Sequence, residues 1–223
     1  FRYYVQAPAF AYHYVERLLS QAMEDYHDKD IASKCKIATK GGMRRSGNTS
    51  SSWRPRGNKN VPLNPEQVEG LIRDSHTAIN TFSSSTDKKP IYLYQFHHPE
   101  SFGSPESDNY RNVLERIREL QSDCHGDQLI EHFGLCNADL NYIREAQKVI
   151  KVSSVQNPLS VQKKKWIASQ GNNAVLEYCK ANDILFIAYA CLGGLQVRQK
   201  KLDFATKYPS LIKIAKDYGE NFD

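Results

Sequence analysis

The sequence predicts an α/β fold in which parallel strands alternate with helices, and three observations support this class. Five short apolar runs are separated by helical segments, at spacings that require crossovers between parallel strands. Two of these runs, at 36–40 and 91–99, end on polar groups, as the strands of parallel barrels do at the face that carries chemistry. The glycine-rich turn G-x-G-x-x-G follows none of the runs. We therefore expect a (β/α)8 TIM-type barrel rather than an open doubly wound sheet.

The elements of the first half follow from periodicity and capping signals. A strand is predicted at 35–39, followed by an irregular loop at 41–63 that is rich in glycine, serine, asparagine and arginine. Asn64 and Pro65 suit the N-cap and first position of a helix that reaches about residue 80. An earlier helix at 13–26 carries apolar side chains on one face: Val15, Leu18, Leu19 and Ala22.

The second half repeats the alternation of strand and helix. Strands are predicted at 91–95, 132–135, 152–156 and 184–189. Helices are predicted from Asp108 or Asn109, at 139–149, at 172–180 and from about Pro209.

The composition is that of one globular domain. The chain has 223 residues, 40% of them hydrophobic, and no apolar run approaches the roughly 20 residues that a membrane helix needs. The start at Phe1, without a methionine or a signal-like pattern, suggests a cut end. The cysteines are odd in number and lack zinc spacing, so we expect buried free thiols in a reducing cytoplasm: Cys35, Cys124, Cys136, Cys179 and Cys191.

The net charge of +5 is concentrated in one stretch without acids, which holds Lys40, Arg44, Arg45, Arg54, Arg56 and Lys59. Such a loop can bind the phosphate of a cofactor or of nucleic acid, or it can be an ordinary solvated loop. Trp53 is the one aromatic residue there, which argues against a stacking platform for nucleic acid.

Five motifs carry a family resemblance: ATKGG (38–42), YQFHHPE (94–100), HFGLCN (132–137), SVQNPLS (154–160) and FIAYACLGG (186–194). They occur in the order found in the aldo-keto reductase superfamily, and the chain resembles that family from residue 1 to about 218. The segment HYVERLLSQAM resembles the family's first helix. The resemblance implies a (β/α)8 barrel that reduces carbonyls with NADPH. It also implies a single domain over 1–223 that is incomplete at both ends, because a whole barrel takes roughly 250 residues.

The resemblance implies three catalytic residues. Lys40 matches the lysine whose ammonium lowers the pKa of a catalytic tyrosine, and His97 matches the histidine that orients the carbonyl or relays the proton. Tyr4 is the preferred candidate for the acid, with Tyr3, Tyr12 and Tyr14 as alternatives.

The family's aspartate, which pairs with the lysine, has no match in this chain. The first acid is Glu16, so the aspartate either falls at or before Phe1 or is replaced by Arg2.

The resemblance also implies cofactor-binding residues. Asn137 and Gln156 match the residues that bind the nicotinamide carboxamide, with Cys136 in place of a serine, and Tyr189 matches the tyrosine that stacks on the ring. Ala190 and Cys191 replace the usual Ser-Pro, whereas Leu192 and Gly193 continue the pattern and would approach the pyrophosphate.

We therefore expect NADPH-dependent reduction of an aldehyde or ketone in the cytoplasm, weakened in this chain, with a small-molecule carbonyl substrate and no membrane or nucleic-acid partner. The alternative is a pseudoenzyme that serves as a binding or regulatory module. Three aromatic residues, Trp53, Phe102 and Trp166, are candidates for lining the substrate pocket or for packing.

Overall fold

The computed structural model describes residues 3–6, 13–45, 53–58, 60–84, 86, 88–122, 128–167, 171–191, 193 and 207–219. Its strands are β1 (Tyr3–Gln6), β2 (Lys36–Gly41), β3 (Met43–Arg45), β4 (Trp53–Pro55), β5 (Ile91–Phe96), β6 (Ile130–Cys136), β7 (Val152–Pro158) and β8 (Leu185–Tyr189). Its α-helices are α1 (Tyr14–Asp25), α2 (Lys29–Lys34), α3 (Pro65–Ile79), α4 (Asp108–Gln121), α5 (Leu140–Gln147), α6 (Val175–Ala181) and α7 (Pro209–Asp217).

The main sheet has six parallel strands in the order β1-β2-β5-β6-β7-β8. For these six strands the order in the sheet is the same as the order along the chain, as in the wall of a barrel. The described residues therefore form an α/β half-barrel, which agrees with the predicted incomplete (β/α)8 fold. The count of five strands was wrong, because β1 also belongs to the sheet and pairs with residues 36–39 of β2. Its four residues are too short a run for a periodicity to be recognised.

The loop predicted as irregular at 41–63 contains a small antiparallel pair, β3 with β4, in its described part. Gly42 lies between β2 and β3 with φ of 95°, and a Cβ there would come within 2.6 Å of the Phe102 ring. Glycine is therefore required at this turn both for its backbone conformation and for its lack of a side chain.

The hydrophobic core lies between the outer face of the sheet and the helices. Phe96 on β5 stacks on Phe102 at 3.7 Å between ring centroids and meets Phe133 of β6 edge to face at 4.9 Å. Phe102 is fully buried, and Trp166 also belongs to the core. Both therefore pack the core and do not line a substrate pocket, whereas the Trp53 side chain lies outside the described residues.

The buried face of α1 differs from the predicted one. Leu18 is 47% exposed and Ala22 is also exposed, whereas Glu16 and Ser20 are buried. Each buried polar side chain has a partner: Glu16 accepts a hydrogen bond from the Thr39 hydroxyl at 2.7 Å, and Ser20 accepts one from a backbone N–H. These bonds offset the cost of burying polar groups. Polar contacts as well as apolar ones therefore determine which face of α1 is buried.

Other predicted boundaries are close to those observed. Asn64 caps α3 and forms a capping box with Gln67, while Ser107 caps α4 one residue before the predicted start. Within the described ranges, no helix is long and apolar enough to cross a membrane. The described cysteines are free thiols, of which Cys136 and Cys179 are buried as expected. Cys35 is half-buried and Cys191 is exposed, so the prediction of burial was wrong for Cys191, and Cys124 lies outside the described residues.

Candidate active site

Polar side chains meet at the carboxyl ends of β2, β5, β6, β7 and β8. In a parallel barrel this end carries the chemistry, because the strand ends converge on one mouth. The structure brings together five of the predicted site residues there: Lys40, His97, Cys136, Asn137 and Tyr189. Gln156 joins them through its backbone carbonyl, which accepts the Asn137 N–H at 3.0 Å.

Lys40 is 8% exposed, so it does not belong to the solvated basic loop. Its Nζ lies 3.7 Å from the Cys136 Sγ. Burial lowers the pKa of Lys40, and the neighbouring sulfur partly opposes that shift. Burial also raises the pKa of the Cys136 thiol, against the opposing effect of the lysine. Both shifts favour the uncharged forms, because a charged group loses its hydration when it is buried.

His97 follows β5 directly, and its backbone N–H donates to the Gly41 carbonyl at 2.9 Å. Its Nδ1 is buried and has no hydrogen-bond partner among the described residues. Burial, followed by the nearby charges of Lys40 and His98, lowers the pKa of His97 to about 4. The imidazole is therefore neutral at pH 7, with a ring nitrogen free to bind a ligand atom.

Asn137 follows β6 with φ of 59°, in the left-handed region that asparagine tolerates better than most residues. Its Nδ2 donates to the His97 carbonyl at 3.0 Å, and its Oδ1 accepts the Tyr189 hydroxyl at 2.6 Å. Burial raises the pKa of Tyr189 to about 12, so this phenol stays protonated at neutral pH. The amide of Asn137 thus links two strand ends and is already committed within the protein.

Gln156 has the acceptor that a bound carboxamide requires. Its side chain is buried, and its Oε1 has no hydrogen-bond partner in the described part of the chain. An unpaired buried oxygen is costly, so a ligand N–H placed there would relieve an existing penalty. The primary amide of a nicotinamide supplies such a donor, and Gln156 therefore fits this group better than Asn137 does.

The turn after β8 lies partly within the described residues. Ala190 has φ of 53° and Gly193 has φ of 91°, and the Gly193 N–H donates to the Ala190 carbonyl at 2.7 Å. Cys191 is exposed between them, and Leu192 lies outside the described residues. The backbone thus forms a tight turn beside Tyr189, and the predicted phosphate contacts of Leu192 and Gly193 remain predictions.

The proposed acid is only partly described. Tyr4 lies in β1, where it pairs in register with Ile37 of β2, and its side chain lies outside the described residues. The Tyr3 backbone also lies in β1 and its side chain lies outside the described residues, as does the whole of Tyr12. Tyr14 is the first residue of α1, and its side chain is exposed. The role of Tyr4 as the acid therefore stays a prediction.

Sequence reasoning missed two polar residues that support this mouth. The buried Asn157 side chain accepts from the Ala138 N–H at 3.1 Å and donates to the Ala138 carbonyl at 2.8 Å, which holds the β6–α5 turn against β7. Thr39 binds the buried carboxylate of Glu16, next to Lys40 in the chain. Asn157 directly follows Gln156 and Thr39 directly precedes Lys40 in the sequence. This adjacency to a matched residue was the signal that could have identified them. No cluster of three or more metal-binding side chains occurs among the described residues.

The sequence profile of the Aldo/keto reductase family matches residues 4–218. This chain belongs to that family. The match covers nearly all of the chain and includes every motif from which the resemblance was drawn.

One relative and two solved structures are similar to this chain. An uncharacterized oxidoreductase of Schizosaccharomyces pombe is 29% identical over 174 residues, which are 78% of this chain and 45% of the relative. The aldose reductase of Schistosoma japonicum has a similar structure, with a TM-score of 0.61, 16% identity and coverage of 98% of this chain and 63% of the other. An aldo-keto reductase of Bombyx mori in complex with NADP has a TM-score of 0.54 and 14% identity, covering 85% and 52%. The chain thus spans about half to two thirds of the length of these relatives.

Proposed function

We propose that this chain carries the active site of a carbonyl reductase that uses NADPH to convert an aldehyde or ketone into an alcohol. The observation that supports this proposal most strongly is the meeting of Lys40 and His97 at one mouth, beside the unpaired Oε1 of Gln156. A cation, a neutral imidazole and an amide acceptor are what a carbonyl and a nicotinamide require side by side.

Two residues would hold the cofactor. Gln156 would accept a hydrogen bond from the carboxamide of the cofactor, and the ring of Tyr189 would support the nicotinamide. When bound, the reduced cofactor supplies the hydride for carbonyl reduction. The choice of NADPH is supported by the Bombyx mori relative, which was solved with NADP.

The charge and proton chemistry would be divided between Lys40, His97 and Tyr4. Negative charge develops on the carbonyl oxygen as it is reduced, and the Lys40 ammonium would stabilise it in a site shielded from water. His97, which is neutral because its pKa is about 4, would position the oxygen by hydrogen bonding and not by charge. Tyr4 is the proposed proton donor; its backbone pairs with Ile37, three residues before Lys40 along β2, so Tyr3, Tyr12 and Tyr14 stay as alternatives.

The test is NADPH oxidation by the protein with a panel of aldehydes and ketones, measured for the wild type and two lysine variants. Lys40→Met should reduce kcat/KM by roughly 10²–10³-fold, the range for removing one group that stabilises the developing oxyanion. Lys36→Met removes a lysine from the start of the same strand, where it pairs with Glu131, and should leave the rate unchanged. Equal rates in both variants would contradict the role of Lys40.

The identity of the acid is tested by Tyr4→Phe against Tyr14→Phe, each of which removes one phenol. Loss of turnover in Tyr4→Phe alone would support the proposed acid. Loss in Tyr14→Phe with normal turnover in Tyr4→Phe would exclude it.

A second candidate function is a binding module without turnover, as in a pseudoenzyme. Two observations favour it: Lys40 contacts a thiol and no carboxylate in the described part of the molecule, and the Asn137 amide is occupied by Tyr189 and His97. Fluorescence titration with NADPH separates the two functions. Cofactor binding without oxidation for any carbonyl would favour the module, whereas turnover would exclude it.

A further inference from the structure

The contact between Lys40 and Cys136 joins two side chains that lie 96 positions apart in the chain, on β2 and β6, across the intervening β5. In the reductase mechanism proposed above, the Cys136 sulfur has no role in the reaction. We propose that the pair is an oxidation site, at which a peroxide links Lys40 Nζ to Cys136 Sγ through a reversible nitrogen–sulfur bond.

The surroundings of the sulfur favour capture by the lysine. Lys40 is 8% and Cys136 is 1% exposed, so a large external thiol is kept away from an oxidised Cys136. Two side-chain nitrogens in the described structure are hydrogen-bonded to Sγ, Lys40 Nζ at 3.7 Å and Asn137 Nδ2 at 3.4 Å. An amide nitrogen is a poor nucleophile, because its lone pair is delocalised onto the carbonyl. The amine is therefore the group that can attack, and its flexible four-carbon stem can close the remaining gap.

Burial also prepares the amine for this reaction. It lowers the pKa of Lys40, so a larger fraction of the side chain is uncharged and nucleophilic than for a lysine in water. It raises the pKa of Cys136, so the reactive thiolate is scarce and the first step is slow. We therefore expect the link to form gradually and to need peroxide in excess.

The reaction balances in two steps. The Cys136 sulfur attacks one oxygen of hydrogen peroxide and the O–O bond breaks, which yields a sulfenic acid and one water; the sulfur is oxidised by two electrons and the peroxide is reduced. The Lys40 amine then attacks that sulfur, the N–S bond forms, and the sulfenic hydroxyl leaves with an amine proton as a second water. The protein has lost two hydrogens in total. Two equivalents of an added thiol reverse the link and become a disulfide, restoring the free amine and thiol.

The test uses the full chain, reduced and then treated with excess hydrogen peroxide, alkylated, digested and analysed by mass spectrometry. We expect the peptide that contains Lys40 to be joined to the peptide that contains Cys136, at the sum of their masses less two hydrogens. Dithiothreitol should abolish the joined species. This readout needs no catalytic activity, so it stands or fails independently of the proposed reductase function.

Matched variants assign the two atoms. Cys136→Ser and Lys40→Gln should both lack the joined species, and Lys40→Gln should instead leave a sulfenic acid at position 136 that dimedone captures when the oxidised protein is unfolded in its presence. Cys179→Ser removes the other buried thiol and should form the link as the wild type does. If wild-type Cys136 stays a free thiol under these conditions, or is captured by dimedone without a link to Lys40, the proposal is wrong.

Discussion

The two faces of the half-barrel sheet have opposite chemistry although they are built by the same strands. The outer face, against the helices, is mostly apolar and carries the fully buried side chains Tyr94, Phe96, Phe133, Leu135 and Val155, together with a buried polar pair, Thr39 and Glu16. The inner face carries polar side chains that are also buried, namely Lys40, Gln95, Ser154 and Gln156. Because successive residues of a strand point to opposite faces, one strand can serve both surfaces.

The two faces differ in what burial does to stability. Burial of the outer aromatic residues stabilises the fold by removing apolar surface from water. On the inner face, Gln95 donates to Ser154 at 3.1 Å, but Gln95 Oε1 and Gln156 Oε1 have no partner among the described residues, whereas on the outer face the Tyr94 hydroxyl is the one strand atom in this state. The inner face therefore costs stability and keeps groups available for ligands, as functional sites commonly do.

The largest expected effect comes from the outer face. Phe96→Ala should lower the free energy of unfolding by about 3–5 kcal/mol, because it removes a fully buried ring that contacts two others. Leu185→Ala is the matched control, because Leu185 is 58% exposed on β8 and should change stability by less than about 0.5 kcal/mol. Urea unfolding measures both values. Similar losses in both variants would show that the outer face is not the stabilising layer.

The next largest effect is a dependence of folding stability on pH, caused by His97 at the carboxyl ends of the strands. The pKa of His97 is about 4 in the folded protein against about 6.5 in the unfolded chain, so the unfolded state binds more protons between those values. Stability should therefore fall as the pH drops through this window, with about 2 kcal/mol lost through His97 between about pH 7 and pH 5. His97→Asn should lack this part of the loss in urea unfolding. An identical pH dependence in both proteins would contradict the burial of a neutral His97.

A smaller effect, of opposite sign, is expected at Lys40. Lys40→Met should raise the free energy of unfolding by about 1 kcal/mol or more, because a desolvated amine is replaced by an apolar side chain of similar length. Lys40→Arg retains a buried charge and should give no such gain. If Lys40→Met is less stable than the wild type, Lys40 stabilises the fold. That result would contradict the conclusion that the buried polar groups of the inner face cost stability.

The smallest effect lies away from both faces, at the helix cap. Asn64→Ala should cost about 1 kcal/mol, because Asn64 accepts the Gln67 N–H at 2.9 Å at the start of α3. Asn64→Asp keeps an acceptor and should remain close to the wild type. Thermal unfolding of the pair checks this value. A loss in Asn64→Ala as large as that of Phe96→Ala would show that capping and core packing are not separable here.

Local signals in the sequence determined most of the elements and the family. Helix caps such as Asn64, apolar runs such as 91–96 and the ordered motifs act over a few residues, so they can be read without knowledge of the fold. The same motifs selected Lys40, His97 and Gln156 as residues of one mouth, because parallel strands present their carboxyl ends together.

Tertiary structure decided which partners those residues have. The thiol beside Lys40, the bond from Tyr189 to Asn137 and the unpaired Oε1 of Gln156 depend on strand register and on burial. The same is true of the sixth strand and of the buried polar face of α1. These features arise between residues that are distant in the chain, and their energies depend on desolvation, which exists only once the chain is packed.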